Sequence, residues 1–271
     1  MISAEKLRYA NNPVRLKPIA LPVEHGGWGL LLEPVALGLL VAPSVSGFFV
    51  ALAAVGAFLT RQPFKLLVGD LRRGRRLPRT PAALQFVLLY VLLSAVCLIA
   101  AAATARNSFL LPLLLAAPLA GVQLLYDSLG KTRALIPELA GSLALGAVAA
   151  SIALAQSGNW KVAYGLWLVM AARSLPTILY LRSRLAISHK QPVTIFPALA
   201  ANLTAPVVLF ALADRGFLPF LAVVAITGLT IRAIVGLCSS EAVAAKRLGI
   251  QEFLFGAGTV LLSALGYWLH Y

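Results

Sequence analysis

The stretch AALQFVLLYVLLSAVCLIAAAA, residues 82–103, contains no charged residue and is long enough to cross a membrane as a helix. At 1.5 Å per residue such a helix rises roughly 33 Å, whereas the hydrocarbon core of a bilayer is about 30 Å thick. The chain of 271 residues is 60% hydrophobic and 12% charged. Soluble domains are about 45–50% apolar and about 25% charged. This composition excludes a soluble enzyme.

Eight further runs are predominantly apolar, and together the nine predict an all-α, polytopic transmembrane helix bundle of about nine helices. The other runs cover residues 28–41, 47–60, 109–126, 135–156, 162–181, 195–213, 217–238 and 253–269. The first run is the shortest, because Pro43 follows it closely. We expect a short cytoplasmic N-terminal segment at residues 1–27, without a cleavable signal peptide, and a single transmembrane helical domain at residues 28–271.

The charges between the runs predict the orientation of the bundle. Nine alternating helices place 18 of the 23 Lys and Arg residues on the side of the N-terminus and only Arg106, Lys161 and Arg215 on the other side. Basic residues collect in cytoplasmic loops. We therefore expect a multi-pass protein of the cell (inner) membrane with a cytoplasmic N-terminus and a C-terminus outside. The net charge of +14 needs no nucleic-acid partner, since this asymmetry accounts for it.

Arg173 lies inside an apolar run, where an ionised side chain is costly and marks a candidate functional residue. Arg173, Thr177, Tyr180 and Arg184 are spaced by four, three and four residues, so they share one helical face. One interpretation is a cationic wall of a cavity that opens to the cytoplasm. The other is a structural arginine paired with a carboxylate such as Glu138 or Glu33.

The most basic segment is residues 61–79, which we expect to form a long loop after the second run. Its arginines suit phosphate groups, but residues 72–79 can equally rest on anionic lipid. Arg61, Lys65 and Asp70 lie near the helix end, where their side chains could turn into the mouth of the bundle. A second cluster at the same end contains Asp127 and Lys131.

Glu24-His25-Gly26-Gly27-Trp28 precedes the first run and offers acid–base groups on a backbone that can approach a ligand closely. An interfacial anchor built around Trp28 explains the same residues equally well. The candidate catalytic residues are Glu24, His25 and Asp70. No spacing of His, Cys and carboxylate residues suggests a metal site, and no nucleotide-binding or nucleophile motif is present, so we expect no metal and no cofactor.

The Glu24–Trp28 motif, the Arg61-Gln62-Pro63 motif and the run from Asp70 to Arg76 resemble the YwiC-like membrane protein family. The helix of Arg173 with its Arg182-Ser183-Arg184 end fits the same family. The resemblance spans most of the chain. It implies a polytopic membrane protein and no particular activity.

A more distant resemblance is to the UbiA prenyltransferase superfamily, on nine helices and on the stretch from Tyr126 to Arg133. Members of that superfamily bind a Mg²⁺-diphosphate through two Asp-rich motifs. Here Asp70 alone remains after the second run, and Arg173, Arg182 and Arg184 occupy the region of the second motif. The expected substitute is direct neutralisation of a phosphate or carboxylate by arginine, without metal.

Three functions remain open from the sequence. The first is binding of an amphipathic anion, such as an isoprenoid phosphate, a lipid or a quinone precursor, with or without a metal-independent transfer reaction. The second is transport of a small organic anion, and the third is a non-catalytic assembly or regulatory role in the membrane. For the first function the expected ligand-binding residues are Arg61, Lys65, Asp127, Lys131, Arg173, Tyr180 and Arg184.

Overall fold

A computed structural model describes residues 15–22, 25–74, 77–239, 241 and 243–270. These residues form ten helices and no β-strand. In chain order the helices are α1 Lys17–Ala20, α2 His25–Val41, α3 Val45–Arg72, α4 Thr80–Thr104, α5 Leu110–Ser128, α6 Leu135–Ser157, α7 Trp160–Ser188, α8 Phe196–Asp214, α9 Phe220–Cys238 and α10 Ala245–His270.

The nine longer helices coincide with the nine apolar runs, so the predicted all-α membrane bundle is confirmed. Helices α3 to α10 are each long and apolar enough to cross a membrane, and α2 is a shorter apolar helix. The turn between α2 and α3 is as tight as Pro43 suggests, and Ser44 caps α3 by accepting a hydrogen bond from the Gly47 amide at 3.0 Å.

The expected long loop at residues 61–79 is wrong, because α3 continues to Arg72. Arg61, Lys65 and Asp70 therefore lie on a helix. Hydropathy falls where a helix leaves the apolar part of the membrane, but Arg, Lys, Gln and Leu are good helix formers and keep the helix intact. Helix α10 likewise begins at Ala245, eight residues before the apolar run at 253–269.

The helix ends lie on two faces of the bundle, because short connections join consecutive helices. On one face, Arg72 donates to the Ser128 carbonyl at 2.8 Å, and Arg182 donates to the Arg133 carbonyl. We call this end, which carries the α3–α4, α5–α6, α7–α8 and α9–α10 connections, the basic face. On the opposite face, the Arg106 amide donates to the Ala155 carbonyl at 3.1 Å.

Helices α6 and α7 form the centre of the bundle. Ala147, Ala149, Ala150 and Ala153 of α6 are completely buried. Small side chains let neighbouring helices approach closely, which is how membrane helices pack where lipid is as apolar as the protein interior. Around this centre α2, α3, α5 and α7 pack on α6, whereas α4 packs along α3.

Candidate functional site

A cavity of about 980 Å³ lies inside the bundle and is the candidate functional site. Its walls come from α2, α3, α5, α6, α7 and α10, with α4 contributing at one edge. The volume lies within the range of pockets that hold small molecules. Because the lining is mostly alanine, glycine and leucine, the sequence leaves this space open between the helices.

The polarity of the cavity changes along its length. The lining of α3 runs from Val50 to Arg61, that of α5 begins at Leu113 and reaches Gln123, and that of α6 runs from Val148 to Glu138. On each of these three helices the polar residue lies toward the basic face. Ten or eleven residues of helix separate the two ends, so the apolar part is roughly 15 Å deep.

A network of buried charges lies on the α2, α7 and α10 wall of the cavity, where Arg173 is nine residues further from the basic face along α7 than Arg182. Arg173 of α7 is 4% exposed and lies 3.2 Å from Glu33 of α2 and 3.3 Å from Glu252 of α10. It also donates to the Thr177 hydroxyl at 2.6 Å. Arg232 of α9 pairs with the other oxygen of Glu252. The network joins four helices, and its two arginines balance its two carboxylates.

Tyr180 contacts this network through Arg232. The guanidinium of Arg232 lies 4.2 Å from the centre of the Tyr180 ring and 5.2 Å from that of Phe255. Cation–π contacts of this kind compensate for buried N–H groups, and Nε and Nη2 of Arg232 have no hydrogen-bond acceptor among the described residues. Tyr180 does not line the cavity.

Two further ion pairs lie nearer the basic face. Arg61 makes a bidentate pair with the fully buried carboxylate of Asp127, with bonds of 2.5 and 3.0 Å, and so joins α3 to α5. Arg182 of α7 pairs with Glu138 of α6 at 2.9 Å, and both of these side chains are partly exposed. Arg61, Arg182 and Glu138 line the cavity, whereas Asp127 lies behind Arg61.

Asp70, a predicted catalytic residue, is engaged in packing. Its carboxylate is 1% exposed and accepts two hydrogen bonds from Arg79, at 2.6 and 3.1 Å, and one from the Thr80 hydroxyl at 3.0 Å. The hydrogen bond to Asp70 holds the pKa of the Arg79 guanidinium above its ordinary value. These contacts join the end of α3 to the start of α4, and Asp70 does not line the cavity.

The remaining predicted ligand-binding residues also lie off the cavity. Arg184 is 2% exposed and donates to the carbonyls of Ser239 and Glu241, at 3.0 and 2.6 Å, so it ties α7 to the segment before α10. Lys131 is exposed and Lys65 is half-buried, and neither lines the cavity. Of the seven predicted residues, the structure brings Arg61 and Arg173 to the cavity wall.

Glu24 and the side chain of His25 lie outside the described part of the chain. The neighbouring Gly26 and Gly27 line the cavity, so the start of α2 borders the site. Gly27 faces the ring of Phe58, which a Cβ at Gly27 would meet at 3.2 Å.

Several cavity residues were absent from the predicted ligand-binding set. They are Gln123, Arg133, Glu138, Arg182, His189 and Glu252. Glu252 directly precedes the last apolar run, so its position suggested a loop, and the first two turns of α10 that place it inside the bundle carry no hydropathy signal. Among the described residues, no group of three or more His, Cys, Asp and Glu side chains is arranged to hold a metal ion.

Residues 21–153 match the family model of the YwiC-like protein. The chain is YwiC-like over this stretch. The predicted resemblance to the YwiC-like family is thereby confirmed, and the chain is a polytopic membrane protein. The matched stretch covers α2 to α5 and most of α6, which carry Glu33, Arg61 and the apolar part of the cavity. No curated protein and no solved structure matches the chain.

Proposed function

We propose that this membrane protein binds an amphipathic anion, such as an isoprenoid phosphate, a lipid or a quinone precursor, in its internal cavity. The observation that carries the proposal is the polarity of the wall formed by α3, α5 and α6, which has polar and charged residues at the end nearest the basic face and mostly apolar residues beyond. A head group would lie at the charged end and an apolar chain between α3, α5 and α6. The basic face would look toward the cytoplasm.

The depth of the apolar part supports a membrane-derived ligand. It is roughly 15 Å, which is half of the hydrocarbon thickness of a bilayer of about 30 Å. A chain in this cavity would occupy the depth that it occupies in one leaflet. Its head group would then lie at the level where the charged end of the cavity begins.

The charge pairs decide which arginines suit the head group. Arg173 lies between two carboxylates, so we assign it to the support of the bundle rather than to the ligand. Arg61 pairs with Asp127 and Arg182 with Glu138, and both arginines line the charged end of the cavity, where a guanidinium can bind an anion. Arg133 lines the cavity, and its side chain forms no ion pair within the described part of the chain.

Arg133→Ala is therefore the sharpest test, because it removes a cation from the cavity without leaving a carboxylate behind. We expect the variant to bind dodecyl phosphate about tenfold more weakly, since a charge-assisted hydrogen bond contributes about 1.5–3 kcal/mol and partial exposure reduces it. Binding is measured on purified protein by native mass spectrometry and by calorimetry, with EDTA present throughout. The matched control is Arg73→Ala, since Arg73 lies exposed at the same face and does not line the cavity.

The proposal fails if the unmutated protein does not retain dodecyl phosphate, or retains it no better than the uncharged dodecanol. If Arg133→Ala and Arg73→Ala weaken binding equally, Arg133 does not contact the head group. Loss of binding by the unmutated protein in EDTA would show that a metal ion takes part.

A further inference from the structure

Helices α4 and α5 leave a gap between them, although they are consecutive in the chain. The connection at residues 105–109 is short, yet α4 packs along α3 and α5 packs along α6. Most side chains of α4 and α5 are not buried by the rest of the protein. In a membrane, such a gap is filled by lipid.

The cavity reaches this gap from the inside. Its lining includes Ser94 and Leu98 on the α4 side and Leu113 and Ala117 on the α5 side. Ala57 of α3 also lines the cavity, and both Ala57 and Ala117 are exposed, as expected for a cavity wall with an open side. The cavity is therefore open sideways at this level.

The edge of the gap is apolar. The hydroxyl of Ser94, which is the polar group on the α4 side, donates to the Ala53 carbonyl at 3.0 Å and so is satisfied within the protein. The side chain of Leu98 lies one turn further along α4. An edge of this kind suits a hydrocarbon chain and offers nothing to bind a head group.

Contacts at both faces confine the opening to the membrane. At the basic face, the Arg61–Asp127 pair and the hydrogen bond from Arg72 to the Ser128 carbonyl join α3 to α5. At the opposite face, Phe109 is 2% exposed and anchors the connection between α4 and α5 in the core. The opening thus lies beside the apolar part of the cavity and away from its charged end.

We propose that the ligand is a phosphate-bearing membrane lipid whose chain leaves the cavity sideways between α4 and α5. The cavity holds roughly 15 Å of chain, so a longer chain, or a second chain, lies in the surrounding bilayer. This inference rests on the proposed function and narrows it from amphipathic anions in general to lipids that are too large for the cavity itself.

The test closes the gap and compares two probes. Leu98→Trp combined with Ala117→Trp fills the gap from both sides, and Val207→Trp is the control, since Val207 of α8 is 67% exposed and remote from the cavity lining. The probes are dodecyl phosphate, which has one short chain, and dioleoyl phosphatidic acid, which has two long chains. Both are measured at equilibrium by native mass spectrometry, after thermal unfolding has shown that each variant is folded.

We expect the double variant to lose at least about tenfold more affinity for phosphatidic acid than for dodecyl phosphate, or about 1.4 kcal/mol, because only the larger probe needs the gap. Val207→Trp should change neither. If the double variant does not fold, each single tryptophan should weaken binding of phosphatidic acid more than binding of dodecyl phosphate.

Three other outcomes would contradict either the proposed function or the lateral opening. If neither probe binds the unmutated protein, the proposed function is wrong. If both probes bind and neither is affected by closing the gap, the ligand does not leave the cavity sideways. If closing the gap abolishes binding of both probes, Leu98 and Ala117 belong to the binding site itself and the lateral opening is wrong.

Discussion

Replacing Arg173 by methionine should destabilise the protein, because Arg173 joins α7 to α2 and α10 through two buried carboxylates. Methionine keeps the length and most of the packing of the side chain and removes its charge and hydrogen bonds. The variant leaves Glu33 without an ion-pair partner in the described part of the chain, whereas Glu252 keeps Arg232.

The size of the effect follows from this difference. Removing one partner of a buried ion pair costs about 3–5 kcal/mol, since the other charge stays buried. Glu33 is 15% exposed and borders the cavity, where water can reach it, so the lower end of that range applies. We expect Arg173→Met to reduce the free energy of unfolding by about 3 kcal/mol.

A double-mutant cycle with Glu33→Gln isolates the pair. Glu33→Gln alone leaves Arg173 bound to Glu252 and should cost about 1–2 kcal/mol. The double variant removes both charges and should be more stable than the sum of the single effects predicts, by at least about 1 kcal/mol. Unfolding is followed by tryptophan fluorescence while SDS is titrated into protein in a mild detergent.

Two results would contradict a stabilising interaction between Arg173 and Glu33. If Arg173→Met unfolds at the same SDS fraction as the unmutated protein, the buried network contributes nothing to stability. Strict additivity of the two substitutions would mean that Arg173 and Glu33 do not interact in the folded protein. Either result would return Arg173 to the group of candidate head-group contacts.

Three further predictions concern packing and orientation. Gly256→Ala should lower stability by about 1–3 kcal/mol, because its Cβ would collide with the Glu33 carboxylate, whereas Gly258→Ala, with open space around it, should not; thermal unfolding of both variants decides this. Asp70→Asn should cost about 1–2 kcal/mol in SDS unfolding by weakening the bonds from Arg79, and an unchanged midpoint would contradict the role of Asp70 in joining α3 to α4. A phosphatase fused after Tyr271 should be active, which places the C-terminus outside, and an inactive fusion would reverse the orientation.

The number and position of the helices follow from hydropathy, because the membrane requires an apolar run for every span. The length of α3, in contrast, does not follow from hydropathy. Arg61, Lys65 and Asp70 look like loop residues on a hydropathy scale, which reports depth in the membrane and says little about where a helix ends. The hydrogen bond from Arg72 to the Ser128 carbonyl, at the far end of α3, is a long-range contact that no local pattern contains.

Part of the candidate site was also predictable from hydropathy. Arg173 stands out because a charge in an apolar run is costly, and Glu33 was one of two carboxylates expected as its partner. Glu252 was missed, since its contact with Arg173 depends on how α10 packs against α7. Helical spacing predicts one shared face for Arg173, Thr177, Tyr180 and Arg184. All four are buried, but Tyr180 and Arg184 do not line the cavity, and spacing cannot show that they face different neighbours.

The position of a bound lipid chain shows whether the internal cavity holds it. Phosphatidic acid with a diazirine in the half of one acyl chain nearest the head group is incorporated into vesicles with the protein, irradiated, and mapped by mass spectrometry of the labelled peptides. We predict adducts on cavity-lining residues of α3, α5 and α6, such as Ala54, Ala120 and Leu145. The Arg133→Ala variant should give fewer of these adducts. Adducts confined to outward-facing residues, such as Val207 and Phe210 of α8, would contradict this prediction.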